Sequence, residues 1–329
     1  MAPDADAGKA SYHRADPFMP LTSEWLSVGD GHEIYVESIG RQSGIPAVYL
    51  HGGPGSGCQS GHRRLFDPER FHAVLFDQRG AGRSHPKGGR DHNSLPHLIA
   101  DMEVIRAKFG FEHWLVVGGS WGATLALAYA QVHPERVSGI VLRATFLGTR
   151  AELDSAFLKT LPLLYPALYD DFLGVLPADQ RAQPLEAYWC RILDADPAVH
   201  GPAARAWGAT ERILSEHMPN RARLDPDALR SGRILPSTPF MEAHYFRNNC
   251  FMKPDQLMTE ADKLAEIPGI IVQGRYDLLC PPATSHALEA RWPKSQVRAI
   301  GGAGHSLYDP GIRDAVMKAI ADLASSIGT

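Results

Sequence analysis

The sequence predicts an α/β protein: a mostly parallel sheet flanked by helices, with a helical segment inserted into it. Three observations carry that prediction. Apolar runs of strand length alternate with helical stretches over the first 145 residues. No buried-strand run occurs from about residue 150 to about residue 250. The alternating pattern then returns to the end of the chain. Among the elements, His32–Ser38 (HEIYVES) alternates in polarity after an Asp30-Gly31 pair, and so reads as the second arm of a hairpin. Ala47–Leu50, His72–Asp77, His113–Gly119 and Gly139–Ala144 are short apolar runs, as strands of a parallel sheet covered on both faces should be. Leu95–Phe109 and Ala123–His133 read as helices between them, the second stopping before Pro134.

Beyond residue 150 the pattern is one of helical stretches broken by Pro162, Pro166, Pro177, Pro184, Pro197 and Pro202. Gly269–Gly274 and Gln296–Ile300 are strands again, with helices near Ser285–Arg291 and Ile312–Ser325. The economical division is an N-terminal arm (1–20), a first core part (21–148), a helical cap (149–252) and a second core part (253–329).

Bulk properties remove several function classes. The chain has 329 residues, 44% hydrophobic and 21% charged, which is ordinary for a globular protein. A net charge of −4 without a basic stripe argues against a nucleic-acid partner. No apolar run approaches the roughly 20 residues of a spanning helix, so no membrane role is expected. The leading residues are polar and lack the apolar stretch of a secretory signal, so a cytoplasmic location is expected. Cys58, Cys190, Cys250 and Cys280 are scattered without metal-ligand spacing, and are expected to be reduced, buried small hydrophobes.

The chemistry is concentrated at Gly118-Gly119-Ser120-Trp121-Gly122. In a chain with 31 glycines a G-x-S-x-G match alone is weak, but here it joins a strand directly to a helix. In that setting the small residues allow a strained turn that lifts the serine hydroxyl above the sheet, the nucleophile elbow of the α/β-hydrolase fold. A serine needs a base, and the base an orienting acid. In this fold the order along the chain is serine, acid, histidine. Asp277 follows the strand Gly269–Gly274 and His305 follows the strand Gln296–Ile300, both at strand C-terminal ends, where open α/β sheets carry their sites. Chain order and a glycine-rich loop set His305 apart from the other histidines. The oxyanion hole is expected from the N–H of Trp121, next after the nucleophile, and of Gly53, in His51-Gly52-Gly53-Pro54-Gly55 after the strand Ala47–Leu50.

With these pieces in place the sequence resembles the proline iminopeptidases, or prolyl aminopeptidases, a branch of the α/β hydrolases. The resemblance rests on H-G-G-P-G-S-G (His51–Gly57), D-Q-R-G-A-G-R-S (Asp77–Ser84), G-G-S-W-G (Gly118–Gly122), G-R-Y-D-L-L-C-P (Gly274–Pro281) and G-A-G-H-S (Gly302–Ser306). It extends from about residue 20 to the end. Asp77–Ser84 is assigned no catalytic part and is expected to shape the loop beside the site. The resemblance implies release of an N-terminal proline, with cap glutamates holding the free imino group. Ala204–Glu211 is similar to the family's A-x-A-W-x-x-W-E segment and Met241–Phe246 to its E-N-H-Y-F segment, which makes Glu211 and Glu242 the implied amine ligands. Phe146 and Phe246 match positions that line the ring pocket. Thr210 departs from the family's tryptophan, and His92-Asn93-Ser94 from its N-N-T run, which leaves the strictness of proline preference open.

The expectation is a serine exopeptidase acting on small peptides or amino-acid amides with a free N-terminus, needing no metal or organic cofactor. The rivals are an amino-acid amidase or broad aminopeptidase with the same clamp, a carboxylesterase with no use for Glu211 and Glu242, and a non-catalytic small-molecule receptor. The sequence sets no oligomeric state.

Overall fold

A computed structural model describes residues 16–231 and 235–327. The first 15 residues of the expected N-terminal arm lie outside the described residues. Among the described residues eight strands form one sheet in the order β1-β2-β4-β3-β5-β6-β7-β8. They are β1 (Thr22–Ser27), β2 (Glu33–Gly40), β3 (Ile45–Leu50), β4 (Phe71–Phe76), β5 (Trp114–Ser120), β6 (Val137–Thr145), β7 (Gly269–Gly274) and β8 (Ser295–Ile300). β1, β2 and β4 pair antiparallel; every pairing from β4 through β3 to β8 is parallel. The hairpin expected before β2 is real, and its first arm is β1. Asp30 (φ 53°) and Gly31 (φ 77°) sit at its tip, the two positive-φ positions that a twisted two-residue turn requires.

The parallel strands are apolar throughout because each face of the sheet has its own core. Val48, Leu50, Val116, Ile140, Leu142 and Ile271 face α1 (Leu95–Lys108) and α2 (Trp121–Val132). Their alternating neighbours Ala47, Tyr49, Leu115, Val117, Val141 and Ile270 face the C-terminal helix Ile312–Ile327. Each Val, Leu or Ile among them contributes roughly 1.5–3 kcal/mol by burial, and a one-residue slip would exchange the two faces, so the register is strongly held.

Between β6 and β7 the described residues form helices and no strand. The helical stretches there do break at prolines, and the structure adds that the proline at such a break opens the following helix. Pro166, Pro184 and Pro197 each occupy the first helical position, where the missing N–H costs nothing and the fixed φ fits. Three of these helices matter below: α3 (Pro184–Ile192), α4 (Pro197–Ser215) and α5 (Thr238–Arg247). Only Pro202 lies inside one of the three, α4. Phe157, Phe172, Tyr188, Trp189, Trp207 and Phe246 fill this region and belong to the same apolar cluster as the α1/α2 face of the sheet. All four cysteines are free, but Cys190 is exposed and Cys58 half-buried; only Cys250 and Cys280 are the buried hydrophobes expected of all four. Among the described residues no helix is long and apolar enough to cross a membrane.

Candidate active site

Ser120 ends β5 and Trp121 begins α2, so strand turns into helix within one residue. Ser120 has φ 56° and ψ −123°, a conformation disfavoured for a residue with a Cβ and persistent only where its surroundings enforce it. Those surroundings require the motif's outer glycines. A Cβ on Gly118 would lie 2.2 Å from the Gly122 carbonyl oxygen, and one on Gly122 would lie 2.1 Å from that of Leu50. Close approach of three backbone segments explains G-x-S-x-G here.

Asp277 and His305 lie in the loops after β7 and β8, and the structure brings them together. His305 Nδ1 is 2.9 Å from Asp277 Oδ2 and 3.0 Å from Oδ1. Asp277 is itself held, its Oδ1 accepting from the Leu279 and Cys280 amides at 3.0 and 2.8 Å. With Nδ1 committed to the carboxylate, Nε2 is the free face of the imidazole. The His305 carbonyl accepts from Arg143 of β6, which ties this loop to the sheet beneath the elbow.

Gly53 takes φ +107°, and a Cβ there would come within 2.7 Å of the Gly55 nitrogen. The Trp121 amide is the first of α2, without an intrahelical acceptor. A residue of the expected loop-shaping segment Asp77–Ser84, not singled out from sequence, joins these two segments. Gln78, just beyond β4, accepts from the Trp121 indole N–H at 2.8 Å and donates its side-chain amide to the His51 carbonyl at 3.0 Å. Its backbone N–H donates to His51 Nε2 at 3.0 Å, so the ring proton sits on Nδ1 and donates to the Gly52 carbonyl at 2.9 Å. Burial lowers the pKa of His51, consistent with this neutral tautomer. The loop-shaping part expected of Asp77–Ser84 thus has a structural form. Its one available signal was a polar side chain at a strand's C-terminal end.

Ser120, His305, Gly53, Glu211 and Glu242 all line one cavity of about 580 Å³, with Arg143, His62 and Tyr308 on its other walls. Glu211 comes from α4 and Glu242 from α5. Glu242 is fully buried; its Oε2 accepts from the Trp207 indole at 2.8 Å, while Oε1 is buried without a hydrogen-bond partner among the described residues. Burial drives both carboxyls above the ordinary glutamate range, and the charge of Glu211 beside it pushes Glu242 well above. Phe146 and Phe246 form an edge-to-face pair with centroids 5.9 Å apart. They are not on the wall of this cavity: Phe246 packs against Trp207 and Trp189, beside the indole that holds Glu242. Thr210 is fully buried, its hydroxyl without a partner among the described residues.

The helix bearing Glu242 is fixed to the core. Asn93 accepts from Tyr245 and from His244 Nε2, each at 2.7 Å, and donates to the Arg79 and Gly89 carbonyls. The Tyr245 ring packs edge-on against Trp121, centroids 4.6 Å apart. Two groups of ligand-type atoms gather within 4.8 Å, Asp277–Cys280–His305 and Asp30–His92–His97. In the first, Asp277 and His305 are engaged with each other; in the second, Arg79 donates to Asp30.

Strand order, elbow and acid–histidine pair define a class, and comparison with known proteins gives the same one. A family model described as "alpha/beta hydrolase fold" matches residues 46–311, so the chain is an α/β hydrolase. The "Proline iminopeptidase" of Xylella fastidiosa (strain Temecula1 / ATCC 700964) is 40% identical over 304 residues, 91% of this chain and 95% of that protein. That of Neisseria gonorrhoeae is 39% identical over 308 residues, 92% of this chain and 96% of that protein. The chain belongs to the proline iminopeptidase family. A solved structure titled as the proline iminopeptidase of Mycobacterium smegmatis superposes with a TM-score of 0.61 at 16% identity, covering 93% of this chain and 99% of that one, and shows the common fold.

Proposed function

We propose that this protein hydrolyses the amide bond after an N-terminal residue, preferably proline, through an acyl-enzyme on Ser120. The observation that carries this reading is one cavity lined by both the serine and histidine of the core and the two carboxylates from α4 and α5. In this mechanism the Glu211–Glu242 pair takes the protonated imino group. Two unit charges about 4 Å apart attract by about 4 kcal/mol at an effective dielectric of 20. The clamp sets which carbonyl lies over Ser120, and a residue preceding the amine has no room and no charge to offer. Ser120 Oγ attacks that carbonyl as His305 Nε2 takes its proton, Asp277 stabilising the imidazolium. The Gly53 and Trp121 N–H groups receive the oxyanion. His305 returns the proton to the leaving amine, and the C–N bond breaks. Water, deprotonated by His305, then attacks the ester; the acyl group leaves as free amino acid and Ser120 recovers its proton.

In this reading residues 149–252 act as the cap over a core of 21–148 and 253–329. Four free cysteines suit a reducing compartment, and the cytoplasm is the location we assign. A broader aminopeptidase or amidase is favoured by one observation, the small buried Thr210 beside Glu211 where the family resemblance expects tryptophan.

The test is hydrolysis of proline-, alanine- and N-acetyl-proline-naphthylamide beside a p-nitrophenyl ester, with Ser120→Ala as control. Turnover of free proline amide, with the acetylated form inert and Ser120→Ala inactive, is the expected result. Alanine cleaved as fast as proline favours the broader enzyme. Equal cleavage of the acetylated substrate, or of the ester alone, sinks the clamp.

A further inference from the structure

We infer that Trp207 is a positioning residue for amine recognition: its indole N–H takes one oxygen of Glu242 and leaves the other for the substrate's ammonium group. This role rests on the clamp proposed above. Trp207 and Glu211 lie four residues apart on α4, so they stand on the same face of the helix, one turn from each other. One helix therefore supplies the first carboxylate and also the group that holds the second.

The indole cannot swing away. It stacks on Phe157 with centroids 4.5 Å apart and planes 20° from parallel. Tyr188 and Trp189 of α3 and Phe246 of α5 close around it at 5.8, 6.4 and 6.5 Å. Its N–H direction is thus set by packing, before any ligand arrives. Glu242 Oε2 receives that N–H at 2.8 Å, which accounts for one oxygen of a fully buried carboxyl. The other, Oε1, is paired with no N–H or hydroxyl donor among the described residues; the neighbour of Glu242 is the Glu211 carboxyl, and the two share a hydrogen bond only when one of them is protonated. A buried acceptor without a donor is costly, and such orphans in native proteins call for a ligand or a functional reason. Glu242 lines the cavity, so its free oxygen has what a protonated amine needs, a desolvated acceptor held in one orientation. A tryptophan serves better than a lysine or arginine here. It donates one hydrogen bond without adding a cation that would compete with the substrate.

The donor has an electrostatic effect as well. Burial and the neighbouring Glu211 favour the protonated form of Glu242; the indole N–H opposes both by favouring the carboxylate. Beside the pair itself, His305 of the core loop, Arg143 of β6, His62, Tyr308 and Arg212 are the charged or titratable groups lining the cavity, and His305 acts electrostatically on Glu211.

The experiment compares wild type, Trp207→Phe and Glu242→Gln on proline-naphthylamide across pH. Phenylalanine keeps a ring in the stack and removes only the donor. Trp207→Phe is expected to raise KM about tenfold, the worth of a hydrogen bond to a charged group, with kcat within about twofold. The acid limb of kcat/KM should move to higher pH, because losing the donor makes Glu242 harder to ionise. A purely structural role would lower kcat or the active fraction and leave the acid limb in place, and that result overturns the inference. If Trp207→Phe does not fold, benzothienylalanine at the same position replaces the N–H with sulfur at constant shape, and the same criteria apply. An unchanged KM in Glu242→Gln removes the clamp itself and this role with it. A raised KM in Glu242→Gln beside an unchanged one in Trp207→Phe removes this role alone.

Discussion

The two sides of the cavity are built on opposite principles. On the core side the groups that support the reacting atoms are hydrogen-bonded: Asp277 by two amides and an imidazole, His51 and Gln78 by each other, the His305 carbonyl by Arg143. On the α4–α5 side two carboxylates share a buried wall without a basic partner, and Glu242 keeps one oxygen unpaired among the described residues. Saturated hydrogen bonding holds groups still, which suits groups that must meet a transition state. A deficit of positive charge is unstable alone and is relieved by a bound cation, which suits a group that must recognise an amine. The comparison assigns chemistry to one wall and selection to the other, and kinetics can separate them.

Four substitutions test that division, in order of falling effect. Asp277→Asn keeps the shape but presents the wrong hydrogen-bonding pattern to His305; kcat should fall about 10⁴-fold with KM little changed. A kcat loss below tenfold would remove Asp277 from the mechanism. Glu242→Gln should lower kcat/KM about a hundredfold, chiefly through KM, as losing a buried charge partner does. It should also stabilise the protein. Because the folded-state pKa of Glu242 is raised, its stability contribution is fully present below the unfolded value near 4.3 and is lost as pH rises through the folded one. The Tm of the variant should therefore match wild type near pH 4 and exceed it by a few degrees at pH 8, roughly 1 kcal/mol. Equal Tm at both pH values would show that Glu242 carries no such strain.

Gln78→Leu removes the brace between the Trp121 indole and the His51 carbonyl without touching a reacting atom. A kcat loss of about tenfold at constant KM is expected if the brace aligns the oxyanion donors; a change confined to KM would move Gln78 to the selective wall. The smallest effect concerns His62 on the cavity wall. Burial, reinforced by the nearby His51 and Arg143, depresses its pKa to about 4. The neutral ring, accepting from the Gln59 amide, supports the fold above the unfolded value of about 6.5, and that support is lost as pH falls toward 4. Wild type should lose roughly 1 kcal/mol more than His62→Gln across that interval, measured by denaturant titration at pH 7 and pH 4.5. Parallel losses would mean that the ring titrates alike in the folded and unfolded chain.

What could be read from the sequence follows what is local. β3 to β7 are continuous apolar runs because both sheet faces are covered, and the elbow declares itself because Gly118, Ser120 and Gly122 are neighbours in the chain. β1 was implied only as the missing arm of a hairpin; as a mostly exposed edge strand its six residues carry no apolar periodicity. Pro166, Pro184 and Pro197 mark breaks between helices, but a proline ending one helix and a proline starting the next look alike until the helix axes are known. Glu211 and Glu242 were reached by resemblance alone, since nothing in their local sequence distinguishes them from surface glutamates. The Trp207–Glu242 and Gln78–Trp121 contacts span 35 and 43 residues, and no periodicity encodes a contact of that kind.

The order in which the catalytic groups occur along the chain has a consequence for the protein's own synthesis. The elbow, the Gly53 loop and both cap carboxylates leave the ribosome well before His305, which follows the last strand of the sheet. Domains emerge and fold from the N-terminal side. Under the proposed mechanism a growing chain can thus assemble the selective wall and the nucleophile while still lacking its general base, so peptide-cleaving competence arrives only when β8 and its loop complete the sheet. On the same proposal, a chain released before His305 would hold a substrate but lack the base to cut it.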